Sequence, residues 1–201
     1  MARTQESRRA HTRAALLKSA ADLFARQGFH ATSADAIAAA ADRTTGALYD
    51  HFGGKSGLLV ALLEEWVRLA IDQLGDGPGA AAGLDGRLGA LWGGVASDAG
   101  DASDVWLLLE VELWLHAVRD PELASVAASR FAQMRDGLAG ALRSWSEELA
   151  VPLPAPASEL AVQLIGLLLG LGFQHRLDPA AVPHDQVIAG LRRLLQLEPG
   201  S

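Results

Sequence analysis

Ser33 to Phe52, SADAIAAAADRTTGALYDHF, reads as two short helices joined by a tight turn. Ser33 can cap the first helix by lending its hydroxyl to a free backbone amide, Asp35 suits the first turn, and Ala36 to Ala41 is nearly all helix former. Ile37, Ala40 and Ala41 make one narrow apolar face, so this helix can lie close to a neighbour. After Asp42-Arg43, Thr44 is the expected N-cap of the second helix. Leu48 and Phe52, four apart, hold that helix down and leave Thr45, Ala47, Tyr49 and His51 on other faces. A short helix that keeps polar and aromatic residues outward at its N-terminal end suits a DNA major groove, where base edges offer hydrogen-bond sites and thymine a methyl. The same stretch also fits a solvated helical hairpin, because helix-turn-helix geometry occurs in proteins that never touch DNA.

The flanks add weight to the first reading. Arg13 to Gln27 is an amphipathic helix with Leu16, Ala20, Leu23 and Phe24 on one face, ended by Gly28, and Lys55 opens a long helix after Gly53-Gly54. The order helix, Gly-Phe, Thr-Ser, Ile, Ala-Ala, small turn, Thr-x-Gly-x-Leu-Tyr-x-His-Phe, Lys-x-x-Leu-Leu resembles the DNA-binding domain of the TetR family of transcriptional regulators. The likeness covers roughly Arg8 to Leu63, and a match at many points is far more specific than any one motif.

That resemblance implies Ser33 at the phosphate-contacting start of the second helix, and Thr44 to Phe52 as the recognition helix. Thr45, Ala47, Tyr49 and His51 would then face DNA, with Lys55 on a backbone phosphate. One departure is the turn, where the family has Gly and an aliphatic residue and this chain has Asp42 and Arg43. Asp tolerates left-handed backbone better than most residues. Arg43 either snorkels outward to add a phosphate contact or alters the packing beneath the turn.

Half of the 201 residues are hydrophobic, enough for a real core, and the chain has no cysteine. Disulfides, thiolate metal sites and a cysteine nucleophile are thereby excluded. The polar, basic start does not read as a signal peptide, and the longest apolar run, Leu164 to Phe173, is shorter than the roughly 18 residues of a membrane span. A soluble cytoplasmic protein with no membrane partner is expected. The net charge of −7 at first argues against DNA. Residues 1–55, however, carry 8 Lys or Arg against 5 Asp or Glu, or +3, and the remainder 9 against 19, or −10. Basic charge sits where phosphate contacts are needed. Arg3, Arg8, Arg9 and Arg13 suggest a flexible basic arm over about residues 1–9, although such a start can equally be solvated and free of DNA.

Two domains are expected: a helix-turn-helix domain over 1–55 and a helical ligand-binding and dimerisation domain over 56–201, in an all-α fold. Helical period continues from Lys55 to about Leu74, and Gly75 to Gly83 reads as a flexible loop. Further helices are predicted at Leu84 to Ser97, Asp104 to Val118, Pro121 to Ala150, Ser158 to Arg176 and His184 to Leu197. No βαβ alternation appears, which speaks against a nucleotide-binding α/β fold.

Asp104 to Val118 is apolar almost all round, the pattern of a helix sandwiched between others. Glu112 and His116 share a face one turn apart, a spacing open to a surface ion pair, metal ligation, acid-base chemistry or the orientation of a ligand in an apolar cavity. Candidate ligand-binding residues are Trp92, Trp106, Glu110, Glu112, Trp114, His116, Phe131 and Met134, each of which also suits an ordinary core. No metal and no cofactor is expected. Leu160, Leu164, Leu167, Leu168 and Leu171 form one stripe, with the small residues Gly166 and Gly170 four apart, and Val187, Leu191, Leu194 and Leu195 form another. By the family resemblance the last two long helices build a four-helix bundle across a two-fold axis; both stripes would also serve an intrachain core.

The function this predicts is a homodimeric repressor that binds a palindromic double-stranded operator and is released by a small lipophilic effector. Two alternatives stay open: a regulator controlled by a protein partner, and a helical-bundle enzyme using Glu112 and His116.

Overall fold

The computed structural model describes residues 2–76, 83–96 and 102–197. Among them the fold is all α, with nine helices: α1 (Ala2–Ala31), α2 (Ala34–Ala40), α3 (Thr45–Phe52), α4 (Lys55–Asp76), α5 (Gly83–Gly93), α6 (Ala102–Ala117), α7 (Pro121–Leu149), α8 (Ala157–Leu177) and α9 (His184–Leu194). The chain forms two compact units, one of Met1–Trp66 with Leu108–Ala127, the other of Val67–Leu107 with Ala128–Ser201. The unit that holds the two short helices thus extends past residue 55 and takes in part of α6 and α7.

In the first unit α1 packs on α2 and α3 through Leu16, Ala20 and Phe24, which with Ile37, Ala38, Leu48 and the α4 residues Leu58, Leu59 and Leu63 form a buried apolar core. Gly28, at φ 78°, breaks α1 in a left-handed conformation that a side chain would strain. Thr32 then locks the corner: its hydroxyl donates to the Gly28 carbonyl (2.7 Å) and accepts from Gln27 Nε2 (3.2 Å). Gly57 has a different reason to be small, since a Cβ there would stand 1.9 Å from the Phe52 carbonyl oxygen. That close approach sets the start of α4 directly under the end of α3.

In the second unit α5 packs against α8 and α9, and α8 against α9. Its core includes Leu88, Leu91 and Trp92 of α5, Leu138, Leu142 and Trp145 of α7, Leu160, Leu164 and Leu168 of α8, and Val187 and Leu191 of α9. The edge of Trp92 meets His175, whose Nδ1 lies 3.0 Å from the Val182 carbonyl oxygen. Arg87 pairs with Glu148, and Arg192 with Asp85.

Several expectations are corrected. The basic N-terminal stretch is not a flexible arm but helical from Ala2 onward, with residues 5–11 exposed. α4 runs to Asp76, so Gly75 lies within the helix; residues 77–82 of the expected loop, like Ser97, lie outside the described residues. α5 stops at Gly93 and α9 at Leu194. α6 is not enclosed all round: Leu108, Leu115 and Val118, just beyond its end, are 40, 56 and 87 % exposed. α8 is, by length and composition alone, able to cross a membrane, and 44 % of its most apolar window is buried within the chain.

The proposed dimer residues also divide. Leu160, Leu164, Val187 and Leu191 are at most 2 % exposed within a single chain, so they are part of its own core. Leu167, Leu171 and Leu194 are half-buried, and Gly166 and Gly170 are exposed. Helical periodicity identifies a face that packs, but not whether the partner is the same chain or a second copy.

Candidate nucleic-acid interface

Both short helices begin with the cap their sequence calls for. Ser33 is extended and its Oγ accepts from Ala36 N at 3.0 Å; Thr44 is extended and its Oγ1 accepts from Ala47 N at 3.2 Å. Each hydroxyl accepts with a lone pair and keeps its proton for an outside acceptor. Asp42 carries the turn with φ 54°, the left-handed conformation a glycine would otherwise supply. Arg43 lies back along that turn and donates from Nη1 to the Asp42 carbonyl oxygen at 2.6 Å. Its side chain is half-buried, 27 % exposed.

Thr45 ties the two helices together by donating its hydroxyl to Asp35 Oδ1 at 2.6 Å. With Leu48 fully buried beneath, α3 is held against α2 and presents Thr44, Gly46, Tyr49 and Asp50 outward, while Ala47 and His51 are half-buried. Tyr49 is 55 % exposed and leans on Gly54, where an added Cβ would meet its ring at 3.4 Å. The left-handed Gly53 ends α3 and bonds back to Tyr49 O at 2.8 Å.

Lys55 is placed differently from the phosphate contact implied by the resemblance. Its Nζ donates to the carbonyl oxygens of Phe29 and Thr32, each at 2.8 Å, and lies 4.2 Å from the centre of the Phe29 ring. Two of three ammonium protons are therefore committed to the α1–α2 corner. Burial pulls the Lys55 pKa below its ordinary value, and the nearby Glu112 carboxylate opposes that shift.

Glu112 and His116 belong to this unit as well. The His116 ring packs edge-on against Phe29 (5.4 Å) and beside His30 (5.0 Å), and Gly28 lies under Glu112 Oε1. Glu112 Oε2 and His116 Nε2 are buried with no hydrogen-bond partner. Glu110 is fully buried and accepts from Trp114 Nε1 at 3.0 Å. Trp92, Trp106, Phe131 and Met134 belong to the other unit, so the eight candidate ligand residues are divided between the two. The second unit has a small apolar groove lined by Leu84, Leu142, Trp145, Leu149, Leu153 and Leu195, holding about 20 Å³, room for one water; none of the eight candidates lines it. Among the described residues no group of three or more His, Asp or Glu could hold a metal ion.

Sequence reasoning named Arg13 only as part of a basic arm and missed its place over Phe52, with the guanidinium 5.1 Å from the ring centre, and it missed the roles of Phe29, Thr32 and Asp35. The i,i+4 repeat of Arg9 and Arg13 was a usable signal for the first; the others depend on a tertiary corner that spacing does not show.

A capped pair of short helices, the second buried along one side and open along the other, in a chain whose described residues are all helical, is a helix-turn-helix unit of the kind found in regulators of transcription. The chain belongs to the TetR family: residues 16–62 match the bacterial regulatory proteins of the tetR family, and residues 85–198 the C-terminal part of BetI-type transcriptional repressors. No curated protein matches it. A Rhodococcus sp. protein assigned to the TetR family has a similar structure, with TM-score 0.76 and 22 % identity over 92 % of this chain and 99 % of that one. So does a protein of Saccharomonospora viridis assigned as a transcriptional regulator and solved in complex with choline, with TM-score 0.68 and 23 % identity over 93 % and 96 %. The multidrug binding protein EbrR, solved with imidazole, gives TM-score 0.62 and 25 % identity over 94 % and 92 %.

Proposed function

We propose that this regulator is a cytoplasmic homodimer that represses transcription by seating two α3 helices in successive major grooves of a palindromic operator, and that a small effector releases it. It is not an enzyme on this reading. The observation that carries the reading is the surface of α3: capped, pinned by Leu48 and Thr45, and open at Tyr49. Ser33, Thr44 and Tyr49 then bind phosphate or base edges, with Thr45, Ala47, His51 and Arg43 at the margin of the contact.

Support for the dimer comes from α8. Val162, Phe173 and Leu177 are 55, 38 and 75 % exposed, and nothing stands within 4 Å of a Cβ built at Gly166 or Gly170. An apolar helix face interrupted by glycines and left uncovered by its own chain suits close contact with a second copy, which holds two heads at the spacing of two half-sites. The effector acts by binding one state more tightly than the other, with a coupling of about 1–3 kcal/mol. Choline and imidazole, each held by a related structure, are the first compounds to try. The exposed apolar residues Leu115 and Val118 favour a second reading, in which a protein partner controls release.

Selection of bound duplexes from random DNA tests the reading, followed by a screen for compounds that release the selected duplex. A palindromic selected site supports it, and the absence of any enriched sequence would overturn it. Release by a protein fraction but by no small molecule would favour the second reading.

A further inference from the structure

The positive charge of the head is not in the helix-turn-helix. Residues 1–16 hold four arginines and one acid, a net +3, whereas residues 17–55 hold four cations (Lys18, Arg26, Arg43, Lys55) and four acids (Asp22, Asp35, Asp42, Asp50), a net of zero. Of those four later cations, Lys55 is turned into the α1–α2 corner and Arg43 is folded back on its own turn. A protein that displaces counterions from DNA needs its cations at the phosphates. In this chain they are ahead of residue 16, where the match to the TetR DNA-binding domain begins.

That stretch is helical and points its donors along one line. The packing face of α1, Leu16 and Ala20, is fully buried against the two short helices. Carried back by helical spacing, the same face is Thr12 and Arg13, then Arg8 and Arg9, then Gln5. Its character changes from apolar to hydrogen-bond donors where the body of the unit ends, and Gln5, Arg8 and Arg9 are exposed. Glu6, three before Arg9, tempers that charge without cancelling it. Arg13 fixes the line relative to α3 by lying over the ring of Phe52, the last residue of the recognition helix. Arg9 stands one turn, about 6 Å, further out. A helix of the eight residues of α3 is about 12 Å long, close to the width of a major groove, so its end lies beside a phosphate strand.

We propose that the first three turns of α1 are a rigid basic extension that grips the phosphates flanking the groove read by α3, with Arg8, Arg9 and Arg13 as cations and Gln5 and Thr12 as neutral donors. The proposal rests on the DNA-binding reading of α3. Because the extension is helical, its charges arrive at fixed spacing and set the register of the head as well as its affinity.

The test uses the full chain and a duplex it selects from random DNA, with affinity measured at several KCl concentrations between 50 and 200 mM. The double variant Arg8→Ala, Arg9→Ala should flatten the slope of log K against log[KCl] by about 0.9 for each phosphate it leaves without a cation, about 1.8 per head. Arg8→Lys with Arg9→Lys should keep the slope. Ala10→Pro keeps every charge but breaks the helix and should weaken binding. An unchanged slope in the double alanine variant would overturn the proposal, and undiminished affinity in Ala10→Pro would overturn the rigid extension. If the unmodified chain selects no duplex, the DNA-binding reading itself falls; if it binds and only the slope fails to respond, α3 stands and the extension does not.

Discussion

Lys55 Nζ is hydrogen-bonded to the carbonyl oxygen of Phe29 at 2.8 Å while lying 4.2 Å from the centre of the same residue's ring. With Thr32 O as a second acceptor at 2.8 Å, the ammonium closes the end of α1 onto the start of α4. Carbonyls that a terminating helix leaves unpaired are natural acceptors for a lysine. Lys55 is thus a clasp inside the head, and α3 is seated between the two elements it joins.

A clasp and a phosphate contact differ in what their removal changes. Lys55→Met should cost about 1–2 kcal/mol of stability, the low end for bonds to a charged donor because the site is half-exposed. It should leave the salt slope of DNA binding unaltered. Thermal unfolding and a KCl titration read the two quantities separately. A slope flattened by about 0.9 with no drop in stability would return Lys55 to a phosphate.

The same geometry gives a pH dependence with a definite sign. Burial lowers the Lys55 pKa in the folded head, against an ordinary value of 10.5 in the unfolded chain. Between the two values the unfolded chain binds more protons, so this residue's contribution makes stability rise with pH across a window just below 10.5. Glu112 opposes the shift, so Glu112→Gln should push the Lys55 pKa further down and widen the window toward lower pH. Side-chain nitrogen NMR of Lys55 reports this directly; a pKa that stays fixed or rises in the variant would separate the two groups.

Tyr49 is the exposed aromatic of α3 and supports no core. Tyr49→Ala should therefore weaken binding to the selected duplex about 5- to 50-fold, roughly 1–2.3 kcal/mol, and leave the unfolding midpoint within a degree or two. Equal affinity for both proteins would remove α3 as the reading helix.

Local chemistry explains which parts of this head could be read from the sequence. Ser33, Thr44 and Gly53 act through backbone groups three or four residues away, so their caps follow from residue type and spacing. Asp42 could be assigned to the turn for the same reason, and its φ of 54° is a choice within a short menu of residues. The clasp was hidden because Lys55 meets carbonyls 26 and 23 residues earlier, and nothing in RQGFHATS announces a cation site. Glu112 and His116 drew attention by their i,i+4 spacing, yet their neighbours, Gly28, Phe29 and His30, come from a distant part of the chain. A spacing shows that two side chains share a face and leaves open what the face meets.

α8 offers the sharpest separation of core from interface, because neighbouring residues give opposite expectations. Leu164 is fully buried in its own chain, so Leu164→Ala should cost about 2–5 kcal/mol and destabilise the unit whatever its oligomeric state. Gly166, two residues on, is exposed with nothing within 4 Å of an added Cβ, so an arginine fits the single chain and even favours the helix by about 0.5–1 kcal/mol. In a two-fold dimer built on this face the same arginine would meet the partner's α8 where close packing needs a glycine. Gly166→Arg should thus be monomeric by sedimentation, helical by circular dichroism, and weak on the full palindrome, since two heads no longer bind as one. A Gly166→Arg protein that stays dimeric and binds the palindrome normally would move the interface off this face of α8, and the exposed Val162, Phe173 and Leu177 would then need a different partner.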